Sequence, residues 1–293
     1  MSRTTPSLRR GPFSLTRMPS DRLLGRLGSY ATLVALALFC AVPFGWLFLA
    51  AINPRAGLYL ELPDRVGPDN FVRVFTRADS LRLLTNSLIM AGGAVLLLLV
   101  VCTLAGYALS RYDFRGRRAL LFGILLTRVI PPSATIAPLY AITLGLGLVD
   151  TYQGLILVLA AQQLPFVLWM MKGFFDTVPI ELEEAAWIDG AGRIGTAFRV
   201  VLPLAGPGVA AAGLFAFIGA WGEFLTPLVL VSSPDLWPIS LGLFRAWVAY
   251  TLVDWGQLAA ISVLYMLPAI VFYLLVRRYL LRATILGALQ GTA

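Results

Sequence analysis

An all-α membrane protein with six transmembrane helices and a cytoplasmic helix-turn-helix loop is the fold class this sequence predicts, and three observations predict it. Hydrophobic residues make up 59% of the chain and charged residues only 13%, a balance foreign to a water-soluble domain. Six apolar runs reach the roughly 20 residues a helix needs to cross about 30 Å of hydrocarbon, and none shows the sustained alternation of a barrel strand. The arginines cluster in every second loop.

The first run covers residues 31–51. Arg3, Arg9, Arg10, Arg17, Arg22 and Arg26 precede it in a basic tail, residues 1–28. That tail is long, the run exceeds a signal-peptide core and no small-x-small cleavage site follows, so the run reads as a retained span. The loop 52–82 is the longest outside the membrane. It carries Pro54, Pro63, Gly67 and Pro68, then Asp69-Asn70 before an amphipathic stretch from Phe71 to Phe75 that is expected to form a helix at the membrane surface. The second run, 83–105, is followed by Arg111, Arg115, Arg117 and Arg118. The third covers 119–141, and the fourth covers 152–171 although it holds Gln153, Gln162, Gln163 and Pro165. The fifth covers 205–231. The sixth, 258–276, is followed by Arg277, Arg278 and Arg282. The spans make one domain over 29–282, with a C-terminal tail over 283–293.

Loops 52–82, 143–151 and 232–257 are mixed in sign or poor in arginine. The positive-inside rule then puts both termini in the cytoplasm of a multi-pass protein. The same rule accounts for the net charge of +8 without a nucleic-acid partner. The chain has no histidine, which excludes imidazole catalysis and histidine metal ligation. Cys40 and Cys102 both fall inside spans and imply neither disulfide nor metal. Lys172 is the sole lysine and no Gly-x-x-x-x-Gly-Lys surrounds it, so the chain carries no phosphate cradle. No catalytic, metal-ligating or cofactor-binding residue is expected.

Between the fourth and fifth runs, residues 172–203 are charged and helix-prone. Asp176 or Thr177 is expected to cap a helix starting near Pro179, with Glu181, Glu183 and Glu184 in the early turns where the helix dipole favours negative charge. Gly190 stands where that helix should stop in a left-handed turn. A second helix from about Gly192 to Val201 should end before Pro203. Leu182, Ala185, Ala186 and Asp189 share one face. The alanines leave room for a partner's backbone, and Glu184 and Asp189 offer carboxylates to its basic groups. The competing reading is a helix lying on headgroups, which the acidic residues disfavour because the cytoplasmic leaflet is itself negative.

The order Glu184-Ala185-Ala186, Asp189-Gly190-Ala191, then Leu202-Pro203 and Pro207 resembles the EAA loop of binding-protein-dependent ABC importers. The rest of the chain is similar to the maltose- and trehalose-type carbohydrate permeases of that class. The similar pieces include Thr85-Asn86-Ser87-Leu88, the stretch from Ala105 to Arg111, Phe114-Arg115-Gly116-Arg117, Pro131-Pro132, Pro138-Leu139-Tyr140 and the stretch from Gly145 to Thr151. Pro165-Phe166, Gly173-Phe174-Phe175, Trp221-Gly222-Glu223-Phe224 and the tail Gly287-Ala288-Leu289-Gln290-Gly291 complete them. The resemblance implies a permease that imports a di- or oligosaccharide across a bacterial plasma (inner) membrane. It implies a second related permease, an ATPase dimer that uses ATP and Mg²⁺, and a periplasmic or extracellular sugar-binding protein. It assigns Glu184, Ala185, Ala186, Asp189, Gly190, Ala191 and Pro203 to ATPase docking, and Gly287, Ala288, Gln290 and Gly291 to a tail contact. Two positions depart from the family pattern: Gly222, where asparagine is common, and Gln290, where lysine is common. An importer of another solute (glycerol phosphate, a polyamine, an anion), or a signalling or assembly subunit that merely docks an ATPase, would share the loop.

Arg128 and Glu223 lie inside spans, about 14 Å and 27 Å from the cytoplasmic side at 1.5 Å per residue, too far apart to pair directly. Arg128 is expected to bond carbonyls freed around Pro131-Pro132. Glu223 either packs against the sister permease or, with Trp221 and Tyr140, lines the sugar path. The arginine distribution predicts that segments 111–118 and 172–203 are cytoplasmic. Single cysteines placed there should resist an impermeant maleimide applied to intact cells while cysteines in 52–82 react, and the reverse pattern would invert the topology.

Overall fold

The computed structural model describes residues 19–59, 61–77, 79–248 and 253–290, with side chains over 26–59, 61–76, 79–248 and 253–279. Among these residues every regular element is a helix. Four helices are long and apolar enough to cross a membrane, and six spans result if each of two bent pairs counts as one.

The chain forms two compact units, Met1–Leu47 and Phe48–Ala293. The first holds most of α1 (Pro19–Ile52), which begins well before residue 31 because Pro19 supplies a favoured first-turn residue. Its Leu33, Phe39 and Val42 are exposed apolar side chains, as on a helix that meets lipid or another protein.

In the second unit, α3 (Ser80–Arg111) and α6 (Tyr152–Asp176) pack along their lengths. Ala94, Leu98 and Cys102 of one helix and Leu155, Leu159, Val167 and Met171 of the other are buried. Small residues let the backbones close: a Cβ on Gly106 would stand 3.2 Å from the backbone nitrogen of Lys172. Against this pair lies α10 (Gly206–Trp221), with Ala212 and Ala216 fully buried. Against α10 lies α13 (Trp255–Gln290), through Ala259, Ala260 and Ile261.

Two expected spans are broken. The third divides into α4 (Arg117–Leu126) and α5 (Pro132–Gly145), which meet at 105° after a 3-10 turn at Thr127–Val129. The cause is Pro131-Pro132: the residue before a proline is pushed out of the helical region, and Ile130 and Pro131 are extended at ψ 122 and 139. The fifth stops at Trp221, and a short α11 (Leu225–Leu230) restarts after Gly222. The loop 232–257 contains an unexpected apolar helix, α12 (Ile239–Val248). The C-terminal segment read as a tail from 283 instead continues α13 to Gln290.

Polar side chains fasten one end of the second unit. The amphipathic stretch does form a helix, α2 (Asp69–Arg77). The fully buried Asn70 donates from Nδ2 to the carbonyls of Ala50, Ala51 and Asn53 at 3.2, 3.0 and 2.8 Å, closing the end of α1. Its Oδ1 accepts from Arg73, which pairs at 3.0 Å with Asp254, the residue that caps α13 through the Gln257 amide. Asn86 donates to the carbonyls of Asp235 and Trp237 and accepts from the Tyr152 hydroxyl, while Ser87 accepts from the Ile239 amide. Asp150, left-handed at φ 60, accepts from the Ser233 hydroxyl and the Ser232 and Ser233 amides. The Ser233 bonds hold its carboxyl below the usual carboxylate range.

Asn70→Leu removes the donor from three carbonyls in a dry site and should cost about 3 kcal/mol. The expected result is a lowered Tm of the purified protein, and an unchanged Tm would show that water satisfies those carbonyls.

Candidate functional site

The segment after α6 builds a helix-turn-helix from α7 (Glu181–Ile188) and a run made of α8 (Arg193–Thr196), a π turn at Ala197–Val201 and α9 (Leu202–Leu204). Neither Asp176 nor Thr177 caps α7. Asp176 accepts from Ser110 and Lys172, the Thr177 hydroxyl donates to the Phe174 carbonyl, and Ile180 stands at the cap with no side-chain bond. Gly190 ends α7 at φ 87, with its own amide on the Trp187 carbonyl and the Ala191 amide on the Ala186 carbonyl. That is a Schellman turn, and its positive φ favours glycine. The second helix does not stop before Pro203. The Leu202 amide reaches back five residues to the Ala197 carbonyl, and the helix passes through Pro203. The wide turn leaves a proline, which has no amide to donate, inside the run. At Gly206 the chain then turns by 76° into α10.

One ion pair holds α7. Glu183 is fully buried, and one carboxylate oxygen accepts from Arg111 Nε while the other accepts from the Tyr107 hydroxyl at 2.7 Å. Arg111 also donates to the Val178 carbonyl at 2.7 Å, and Ser110 donates to Asp176 at 2.7 Å. The last turn of α3 thus holds the end of α6, the linker and α7 together. The sequence reading credited Glu183 with a dipole contribution alone. The signal it lacked was the partner, because Arg111 lies 72 residues earlier.

With Glu183 turned inward, Glu184, Ala185, Asp189 and Gly190 are exposed, and Ala186 and Ala191 are half-buried. Leu182, Ile188 and Ile194 are exposed beside them, Ile188 at 86%. Arg193 lies over the Trp187 ring with Cζ 5.8 Å from its centroid. The result is an acidic and apolar surface on a short helix held rigidly from behind.

The breaks in the third and fifth spans form a second polar region, beside the middle of α6. Arg128 donates to Gln163 Oε1 at 3.0 Å and covers the Phe166 ring, so its partners are side chains of α6 and not the carbonyls around Pro131-Pro132. Gly219 makes room for Gln163, since a Cβ there would stand 2.5 Å from its amide nitrogen. Gln162 donates to Thr226, whose amide and hydroxyl donate to Glu223 Oε1 at 3.0 and 3.1 Å. Glu223 therefore caps α11. Trp221 is buried at 5% exposure, stacked between Phe217 and Tyr265, and its Nε1 donates to the Tyr265 carbonyl at 3.0 Å. Its ring faces are occupied by protein. Tyr140 is half-buried on α5. No ion pair joins Arg128 to Glu223 among the described residues. Gly287, Ala288 and Gln290 fall in the last turns of α13, and Gly291 lies outside the described residues.

Glu183→Ala should strand a buried guanidinium at a cost of about 3–5 kcal/mol. The loop 177–205 should then become sensitive to limited proteolysis, with Glu183→Gln intermediate, and protection equal to wild type would show that α7 is held by something else.

Comparison with known proteins places the chain. The model of the family described as "binding-protein-dependent transport system inner membrane component" matches residues 99–285. The chain is 31% identical over 264 residues to the diacetylchitobiose uptake system permease protein NgcG of Streptomyces coelicolor, covering 88% of this chain and 87% of that one. It is 30% identical over 284 residues to the trehalose/maltose transport system permease protein MalG of Thermococcus litoralis, covering 92% and 99%. Its fold is that of a chain in the crystal structure of a bacterial ABC transporter involved in the import of the acidic polysaccharide alginate, with TM-score 0.77, 24% identity and coverage of 91% and 99%. With its several apolar helices, this multi-pass membrane chain belongs to the family of binding-protein-dependent transport system inner membrane components.

Proposed function

We propose that this chain is the permease subunit of an ATP-driven importer that carries a di- or oligosaccharide across a bacterial plasma membrane. It works beside a second related permease, with ATP and Mg²⁺ used on a separate ATPase dimer and the sugar delivered by an external binding protein. The observation that carries the reading is the exposed face of α7, Leu182, Ala185, Ile188 and Asp189, held rigidly by the buried Arg111–Glu183 pair. A patch of this kind on a short helix suits a partner that pushes on it. Sugar as cargo is supported by the names of the relatives in Streptomyces and Thermococcus. An external binding protein is supported by the alginate transporter, solved in complex with its alginate pentasaccharide-bound periplasmic protein.

In this reading α7 faces the cytoplasm, both termini lie there, and the α2 end faces outward. Closure of the ATPases on ATP moves α7 as a lever. Arg111 and Asp176 pass that motion to α3 and α6, and the π turn passes it to α10, so that the spans rock between inward- and outward-facing states. Glu184 and Asp189 meet basic groups of the ATPase, Ala185, Ala186 and Ala191 admit its backbone, and Pro203 ends the lever. The end of α13, with Gly287, Ala288 and Gln290 and the following Gly291, reaches toward the same ATPase pair.

Uptake of labelled di- and oligosaccharides in a strain lacking this gene tests the cargo: loss of uptake of one of them is expected, and loss of a non-carbohydrate solute alone would refute it. Gly190→Pro, which cannot adopt φ 87, and Glu184→Lys, which reverses a carboxylate, should each cut uptake about tenfold or more with the subunit still present in the membrane. Normal uptake and normal substrate-stimulated ATPase activity in both would end the docking assignment.

A further inference from the structure

Where α10 breaks at Gly222, the second unit contains a cavity of about 400 Å³ between α11, α12 and α13. That volume is within the range of small-molecule sites. Its lining includes Phe224, Phe244 and Trp247, with Phe244 and Trp247 exposed. It also includes three hydroxyls. Ser240 donates to the Glu223 carbonyl at 3.2 Å, Ser262 to the Leu258 carbonyl at 2.7 Å, and Tyr265 to the Trp221 carbonyl at 3.3 Å. Each proton is thus committed to backbone freed by the break or to the helix behind it, and each oxygen keeps its lone pairs for an incoming donor. Apart from the Tyr265 phenol, the lining has no ionisable group.

We propose that this cavity is a saccharide subsite belonging to this chain, taking a neutral sugar of about disaccharide size. It rests on the carbohydrate-import reading above and goes further by giving this chain its own sugar contact, away from Trp221, Glu223 and Tyr140. The chemistry selects the occupant. A sugar is rich in hydroxyl donors, which the three acceptor oxygens receive, and its C–H faces lie against the rings of Phe244 and Trp247. An acyl chain would leave those oxygens facing hydrocarbon without partners. An anion would meet lone pairs and no cation. Gly222 opens the site: its backbone is in the ordinary helical region at φ −79, so a side chain is sterically barred by nothing but nearby oxygens, Ile218 O at 3.2 Å and Tyr265 Oη at 3.9 Å from a Cβ. A larger residue there would project into the space.

The test measures uptake of labelled maltose, trehalose and N,N′-diacetylchitobiose by intact cells carrying wild-type, Gly222→Leu and Trp247→Ala chains, with membrane abundance checked by immunoblot. The KM of the imported sugar should rise about tenfold in Trp247→Ala, the loss of one stacking contact, and at least as much in Gly222→Leu. Trp247→Cys in a Cys40→Ala background should also react with maleimide more slowly when the imported sugar is present. If the wild type imports none of the three, the carbohydrate reading falls and the subsite with it. If it imports one, but Trp247→Ala keeps the wild-type KM or the cysteine reacts equally fast with and without sugar, the subsite alone is overturned. Should Gly222→Leu fail to reach the membrane, the two Trp247 variants decide.

Discussion

The buried pair of Arg111 and Glu183 is the interaction on which the geometry of the exposed loop depends. A carboxylate taken out of water is costly unless its lone pairs and its charge are both met. Here they are met by a guanidinium on one oxygen and the Tyr107 hydroxyl on the other. The cost of leaving any member unpaired makes the arrangement all-or-none. It also sets direction: neighbouring helix residues differ by about 100°, so fixing Glu183 inward fixes Glu184 and Ala185 outward. The presented surface of α7 follows from what stands behind it.

A second constraint comes from the membrane. Every backbone polar group at depth needs a partner within the protein or in water, and two of the spans are interrupted. Both interruptions lie beside Gln162 and Gln163, near the middle of α6, and each is satisfied by nearby side chains. Glu223 takes the Thr226 amide at the start of α11, Ser240 and Tyr265 serve the carbonyls of Glu223 and Trp221, and Gln163 with Phe166 accommodates Arg128. Helix α6 is the unbroken polar spine against which two broken helices are fitted.

The parts of the fold set by composition and local stereochemistry were legible in the sequence. Apolar length marked the spans, Asp69-Asn70 marked α2, and Gly190 marked the turn because few residues other than glycine accept its φ. Parts that depend on distant partners were not legible. Glu183 and Glu184 are adjacent acids, and nothing local says which one turns toward Arg111. Trp221 reads as a sugar-stacking ring until Phe217 and Tyr265 are found on its faces. Pro131-Pro132 was visible, but its effect was read as freed carbonyls within a continuous span, whereas the chain bends by 105°. Asn86 and Ser87 were visible only as wording shared with a family, and their work is to pin the segment from Asp235 to Ile239.

The π turn at Ala197–Val201 fixes the phase between α8 and α10. One residue more than an α-helix needs is accommodated there, and deleting it would restore ordinary winding while rotating everything on one side of it by about 100°. The Glu183 anchor forbids α7 from following that rotation, and the packed alanines of α10 forbid the other side from yielding. Residue count between Gly192 and Gly206 is therefore a constraint separate from residue identity. Side chains on this stretch can change one at a time, but an insertion or deletion shifts the reading frame of the whole lever.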